Sequence, residues 1–207
     1  MKEACGVFGV YAPGMRVANL TFDGLFALQH RGQESAGMAV SDGDVVTVVK
    51  DMGLVATVFD ERTLAGLSGH MAIGHTRYST HGSSDWAGAQ PVYRPVGRAG
   101  FALGHNGNLT NTEALAEKAG MLPGSIATDS DVVAELLMQA FPETEDLSTA
   151  LQAVLPILEG AYSFVVMSSE RLFGVRDPYG FRPLSMGRIE GTGDIRYWRH
   201  SEVRLNV

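Results

Sequence analysis

Met1-Lys-Glu-Ala-Cys-Gly-Val-Phe-Gly-Val10 opens the chain and holds its only cysteine, Cys5, directly before Gly6. Gly6 to Tyr11 is short, apolar and rich in Val, Phe and Gly, which reads as a buried strand. A thiol at the head of such a strand has a fixed place, as a nucleophile requires. It also needs a base, because an unperturbed cysteine of pKa ~8.5 is only a few per cent thiolate at neutral pH. Cleavage after Ala4 would put an α-amine of pKa roughly 7.7–8.0 on the same residue, and that amine is a suitable base. The alternative is that Cys5 is a small buried hydrophobe, as most free cysteines are.

The chain has 207 residues, enough for one large domain with a full core. Its 45 % apolar and 19 % charged residues describe an ordinary globular protein. A net charge of −7 argues against nucleic acid as a partner, since phosphate binding needs a basic face. One cysteine excludes an internal disulfide framework and any cysteine-based metal or iron–sulfur cage within the chain. No basic-then-apolar leader opens the sequence and no apolar run approaches ~18 residues, so the expected location is the cytoplasm, with no membrane partner.

Outward from the first strand, Pro13-Gly14 is a turn, and Val17, Leu20, Leu25 and Leu28 follow a helical period up to Gln29. Ala36–Val40, Val45–Lys50, Met71–Thr76 and Gly100–Gly104 read as strands. Thr110-x-x-Glu113 is a capping box for a helix that Gly120 closes. A second helix starts near Asp129-Ser130 and buries Val132, Val133, Leu136, Leu137 and Phe141; Ser148 caps a third, which Pro156 disturbs. Tyr162–Met167 and Leu172–Val175 form a hairpin. Strands at both ends, helices in the middle and no βαβ alternation indicate antiparallel sheets covered by helices.

Four polar stretches carry candidate chemistry: His30–Gly37, His75–Gly82, His105-Asn-Gly-Asn-Leu109 and Thr128-Asp-Ser-Asp131. Each sits at the end of a predicted strand or helix, where functional groups are held on a rigid scaffold. Asn106-Gly107 offers a side-chain amide and an unhindered backbone N–H to one oxyanion, or else is a hairpin turn, for which Asn-Gly is a strong signal. The histidines at 70, 75, 81 and 105 raise the question of a metal, but they lack helical ligand spacing, and no metal site is expected.

Taken as a set, Cys5-Gly-Val-Phe-Gly after a short leader, Arg31-Gly-Gln, Arg77-Tyr-Ser-Thr, His105-Asn-Gly-Asn and Asp129-Ser closely resemble the class II glutamine amidotransferases, a family of N-terminal-nucleophile hydrolases. Gln33, Tyr78 and Arg176-Asp-Pro-Tyr-Gly-Phe-Arg-Pro-Leu184 make it most similar to the amino-terminal half of the amidophosphoribosyltransferase branch.

The resemblance implies an α+β fold, a four-layer αββα sandwich of two antiparallel sheets between helical layers. It implies a glutaminase in which Cys5 attacks L-glutamine, with Asn106 and the N–H of Gly107 as oxyanion donors. Arg77 would pair the substrate carboxylate and Asp129 its ammonium; Thr80 and His81 would line the pocket; Arg31 and Tyr78 would support the nucleophile, though an ordinary structural ion pair is the other reading of Arg31. Residues 1–4 would be a cleaved leader and 5–198 the amidotransferase domain. The ammonia acceptor, a phosphoribosyltransferase domain, is absent from the sequence; Mg²⁺ is expected only with that domain, an iron–sulfur cluster only in a full-length parent, and homo-oligomerisation for such a parent. Residues 187–198 read as a hairpin. The segment 199–207 lacks the apolar strand the family places there, so it reads as a truncated or altered tail that leaves the last strand of one sheet missing or mispaired. A non-catalytic fragment with an unprocessed N-terminus is the competing reading.

Overall fold

The computed structural model describes residues 5–78, 86–122, 126–144, 146–188 and 196–199. In chain order it places β1 (Gly6–Tyr11), α1 (Val17–Ala27), β2 (Ser35–Ser41), β3 (Val46–Met52), α2 (Val55–Val58), α3 (Glu61–Gly66), β4 (Met71–Arg77), β5 (Val92–Arg94) and β6 (Phe101–Leu109). Then follow α4 (Thr112–Lys118), α5 (Asp129–Thr144), α6 (Leu147–Val154), β7 (Gly160–Ser168), β8 (Leu172–Arg176), β9 (Ser185–Arg188) and β10 (Arg196–Arg199). They make a six-stranded sheet, β3-β2-β4-β1-β10-β9, and a four-stranded sheet, β5-β6-β7-β8. The strand pairs are antiparallel throughout.

Side-chain alternation along the strands sorts the apolar residues into three layers. Phe8, Val10, Met38 and Val40 face away from the second sheet and pack on Leu25 and Leu28 of the α1 region and on Val55 and Phe59. Val7, Ala39, Met71 and Ile73 face inward, against Ala102, Val165 and Met167 of the second sheet. On that sheet's outer face, Phe101, Leu103, Phe164 and Val166 meet Leu115, Val133, Leu137 and Leu151. Three apolar layers between four structural ones make the αββα sandwich. Because both faces of the central strands are covered, β1 and β4 are buried almost end to end.

Local chemistry sets the helix starts. Thr128 and Asp131 form a reciprocal cap at α5: the Asp131 N–H donates to Thr128 Oγ1 at 3.3 Å and the Thr128 N–H to Asp131 Oδ2 at 3.1 Å. α6 is capped by Asp146, which accepts the Thr149 N–H at 3.2 Å, so Ser148 lies inside the helix rather than capping it. The Thr110 capping box is not formed either. α4 starts at Thr112, and Asn111 before it turns its side chain away, donating to the Ile157 carbonyl at 2.9 Å and accepting the Glu159 N–H at 3.2 Å. Gly120 closes α4 as expected, at φ 67°.

One larger expectation also changes. Asn106-Gly107 is not a turn or a loop: β6 runs through it, with Asn106 opposite Ser163 and Gly107 opposite Tyr162. A Cβ on Gly107 would lie 2.1 Å from the Ala161 carbonyl oxygen, so glycine serves close strand approach here. The strands of the hairpin expected over 187–198 are present as β9 and β10, which pair antiparallel, and β10 also pairs with β1, so β1 is not an edge; the tail expected to lack a strand falls almost wholly outside the described residues. Residues 200–207 lie outside the described ones. Among the described residues no helix is long and apolar enough to cross a membrane.

At the level of the strand ends, the two sheets are tied by a polar contact. His75 on β4 is fully buried, and its Nε2–H donates to the carbonyl of His105 on β6 at 2.8 Å. Burial, partly opposed by that hydrogen bond, lowers the His75 pKa from 6.5 to about 3.

Two outcomes follow from these contacts. A methyl group on Gly24 of α1 would sit 2.6 Å from the Phe8 ring, whereas one on Gly66 of α3 meets nothing within 4 Å. Helix propensity favours alanine by about 1 kcal/mol at either site, but overpacking costs about 1–3 kcal/mol. Gly66→Ala should therefore raise the urea midpoint and Gly24→Ala lower it. As for acid, His75 is neutral in both states above pH 6.5; between 6.5 and about 3 only the unfolded chain takes up the proton. Stability should fall with acid across that window by up to roughly 1.4 kcal/mol per pH unit. His75→Gln, which keeps a donor for the His105 carbonyl, should flatten that part of the stability–pH curve.

Candidate functional site

A cavity of about 350 Å³ opens where the head of β1, the end of β4, the far half of β6 and the N-terminus of α5 converge; Cys5, Arg77, Tyr78, Gly107 and Asp129 line it. The approach of Cys5 follows from the β1–β4 register, which sets Gly6 opposite Thr76. Cys5 is half-buried, and the backbone of Tyr78 brackets its sulfur: the Tyr78 N–H donates to Sγ and the thiol donates to the Tyr78 carbonyl, both at 3.5 Å. Arg31 Nε donates to the Cys5 carbonyl at 3.3 Å. Burial pushes the thiol pKa up; the Tyr78 hydrogen bond and the charges of Arg77 and Arg182 pull the other way, while Asp129 adds to the rise. The sulfur is therefore held as a thiol, and a local base is needed to activate it.

On the opposite wall, Asp129 is the first residue of α5. Its Oδ2 accepts the Leu109 N–H at 3.1 Å, and its Oδ1 lies 3.4 Å from both His105 Nδ1 and Ser130 Oγ. Burial by itself would raise this carboxyl, but His105 and the N–H groups of Leu109 and Ser130 outweigh it and hold the pKa at about 2. The site thus keeps a fixed carboxylate at a helix N-terminus.

Arg77 is buried, with NH1 3.8 Å from Glu34 Oε2. Its guanidinium packs so closely on the backbone at Gly88 that a Cβ there would lie 2.7 Å from Cζ. Asn106 does not line the cavity; it is buried next to Gly107 in β6, and alternation puts it on the face that looks toward the first sheet. Its Nδ2 has no hydrogen-bond partner among the described residues. A buried amide left unsatisfied costs roughly 1–3 kcal/mol.

The sequence motifs missed Gln90. It is buried; its Oε1 accepts the His105 N–H at 2.7 Å and its Nε2 donates to Ser130 Oγ at 3.0 Å. No local pattern marks it, because its partners lie 15 and 40 residues away. Thr80 and His81 lie outside the described residues. Of the three described histidines among the four, His70 stands apart: it precedes β4 at the end away from Arg77, edge-on against Tyr11. Among the described residues no three His, Cys, Asp or Glu side chains are placed to hold a metal.

The sequence pattern defining the glutamine amidotransferase domain matches residues 75–202. An amidophosphoribosyltransferase of Mycobacterium leprae is 52 % identical over 197 residues, covering 91 % of this chain and 35 % of that protein. One from Synechococcus elongatus is 48 % identical over 204 residues, covering 98 % and 41 %. The B. subtilis glutamine phosphoribosylpyrophosphate amidotransferase, solved with ADP and GMP, superposes with a TM-score of 0.82 at 36 % identity, over 94 % of this chain and 41 % of that one. The chain spans well under half the length of these relatives. With a motif match over more than half its residues, the chain belongs to the glutamine amidotransferase domain family.

Proposed function

We propose that this domain is the glutaminase half of an amidophosphoribosyltransferase, hydrolysing glutamine to glutamate and ammonia through a thioester on Cys5. The observation that carries the reading is one cavity lined by a thiol, a fixed carboxylate and the backbone of Gly107. Removal of residues 1–4 would free the α-amine of Cys5, which takes the thiol proton as Sγ attacks the side-chain carbonyl carbon. Negative charge then gathers on the carbonyl oxygen. The N–H of Gly107, which lines the cavity, is one donor for it; the unpartnered Nδ2 of Asn106, buried next to Gly107 in the strand, is the second once its side chain turns toward the bound substrate. When the C–N bond breaks, the ammonium returns its proton to the leaving group and ammonia departs. Water next attacks the thioester and releases glutamate.

Arg77 pairs the substrate's α-carboxylate, a task for a guanidinium fork, and Asp129 its α-ammonium. Arg31 fixes the Cys5 carbonyl and Tyr78 holds the sulfur through its backbone; a pocket role for Thr80 and His81, outside the described residues, rests on the family resemblance alone. The ammonia acceptor is a phosphoribosyltransferase domain in the remaining length of the parent enzyme, where ammonia and phosphoribosyl pyrophosphate give 5-phosphoribosylamine for purine synthesis. Mg²⁺ belongs with that domain. The support is the likeness to amidophosphoribosyltransferases over almost all of this chain.

Intact mass should show loss of residues 1–4 from active protein. Cys5→Ser should lower glutamine hydrolysis by at least roughly 10³-fold, and Asn106→Ala should lower kcat by ~10²–10³ with KM little changed. Full activity in Cys5→Ser, or in protein that retains Lys2–Ala4, would refute the mechanism.

A further inference from the structure

We infer that Gln90 is a positioning residue: it orients the Asp129 carboxylate and so sets the preference of the site for a substrate bearing a free α-amino group. The inference rests on the reading of Asp129 given above. β5 pairs with β6 only from Arg94–Phe101 to Val92–Leu103, and the next residue, Pro91, has no N–H to extend the ladder. Where the ladder stops, the side chain of Gln90 takes over and accepts the His105 N–H at 2.7 Å. The other end of the same amide donates to Ser130 Oγ at 3.0 Å. One side chain thus joins the β6 edge to the first turn of α5.

The backbone around Gln90 is clamped on the opposite side. Lys50 Nζ donates to the Ala89 carbonyl at 2.5 Å. A Cβ on Gly37 of β2 would lie 2.1 Å from the Gln90 carbonyl oxygen, so the inner face of the first sheet presses directly on this peptide. Gln90 therefore has little freedom to point elsewhere.

Its donor matters for what Ser130 does next. Ser130 is fully buried, and its Oγ lies 3.0 Å from His105 Nδ1. With Gln90 Nε2–H and His105 Nδ1–H both donating to that oxygen, the hydroxyl proton is left for Asp129 Oδ1, at 3.4 Å. Asp129 Oδ2 is held in turn by the Leu109 N–H. Both carboxylate oxygens are then fixed, and with them the direction from which an ammonium is met. Neither Gln90 nor Ser130 has to touch the scissile amide for this to act.

The test compares glutamine with glutaramate, which has the same side-chain amide and carboxylate but no α-amino group. For Gln90→Met, nearly isosteric but without the amide, KM for glutamine should rise about tenfold, the effect of losing the Ser130 hydrogen bond to the charged Asp129 carboxylate once its orienting partner is gone, with kcat within about threefold. Glutaramate kinetics should move less, so the preference for glutamine in kcat/KM should shrink by a similar factor. If Gln90→Met does not fold, Gln90→Glu, which keeps an acceptor for the His105 N–H and loses the donor to Ser130, should give the same narrowing. Equal losses on both substrates, or an unchanged preference, would overturn the inference and leave Gln90 a structural residue. Asp129→Asn run alongside separates the two layers of argument: if it too leaves the preference intact, the role of Asp129 fails first and the inference on Gln90 goes with it.

Discussion

The hydrogen bond from His75 to the carbonyl of His105 crosses the gap between the sheets at the point where the cavity begins. Elsewhere the gap is filled by Val7, Met71, Ile73, Val165 and Met167, whose contacts are non-directional and tolerate sliding. A buried imidazole donating to one carbonyl does not. It sets β4 against β6, and the ends of these two strands carry Arg77 on one side and Asn106 and Gly107 on the other. The carbonyl it engages belongs to the residue whose own N–H is held by Gln90 and whose ring touches Ser130, so the tie passes directly into the polar cluster behind Asp129. Burial keeps this imidazole neutral, which suits a joint that must not change charge.

The two sides of the cavity are electrostatically opposed. Cys5 is desolvated enough that its neutral form is favoured, while Asp129, though also buried, is surrounded by enough donors to stay ionised. A thiol is the weaker acid to begin with and burial raises it further, whereas at the carboxylate His105 and the N–H groups of Leu109 and Ser130 outweigh burial. A neutral nucleophile beside a permanent anion suits a cationic amino group at one end of a ligand and an uncharged amide at the other.

Much of this was legible from the chain. Gly6–Tyr11 announced a buried strand, the 162–175 hairpin was placed to within a few residues, and the spacing of apolar positions implied sheets covered by helices. At Asn106-Gly107 and Thr110, where the reading failed, a non-local contact had overridden a local signal. Asn106-Gly107 has the composition of a turn, but the partner strand 55 residues on keeps it extended. Thr110 has the spacing of a cap, but Asn111 is drawn into a bridge to the segment 157–159, and the helix starts later. Gln90 lies in no motif because its function is to span elements; the residues that give it meaning come together only in the folded chain. Most of the candidate site was visible because its residues cluster in short polar runs; the cluster that orients it was not.

Cys5 precedes the central strand of its sheet, and that strand is paired on both flanks, by β4 and by β10. The position of the sulfur is therefore quantised. A slip of register along the sheet comes in whole-residue steps, and a single step would turn Cys5 from the inner face to the helical side. The chemistry at the head of the chain thus inherits part of its accuracy from a strand distant in sequence, β10, which pairs with Phe8–Tyr11 of β1. In such a design an insertion or deletion of one residue in β1 is a change of state, whereas many substitutions along the same strand are only changes of degree.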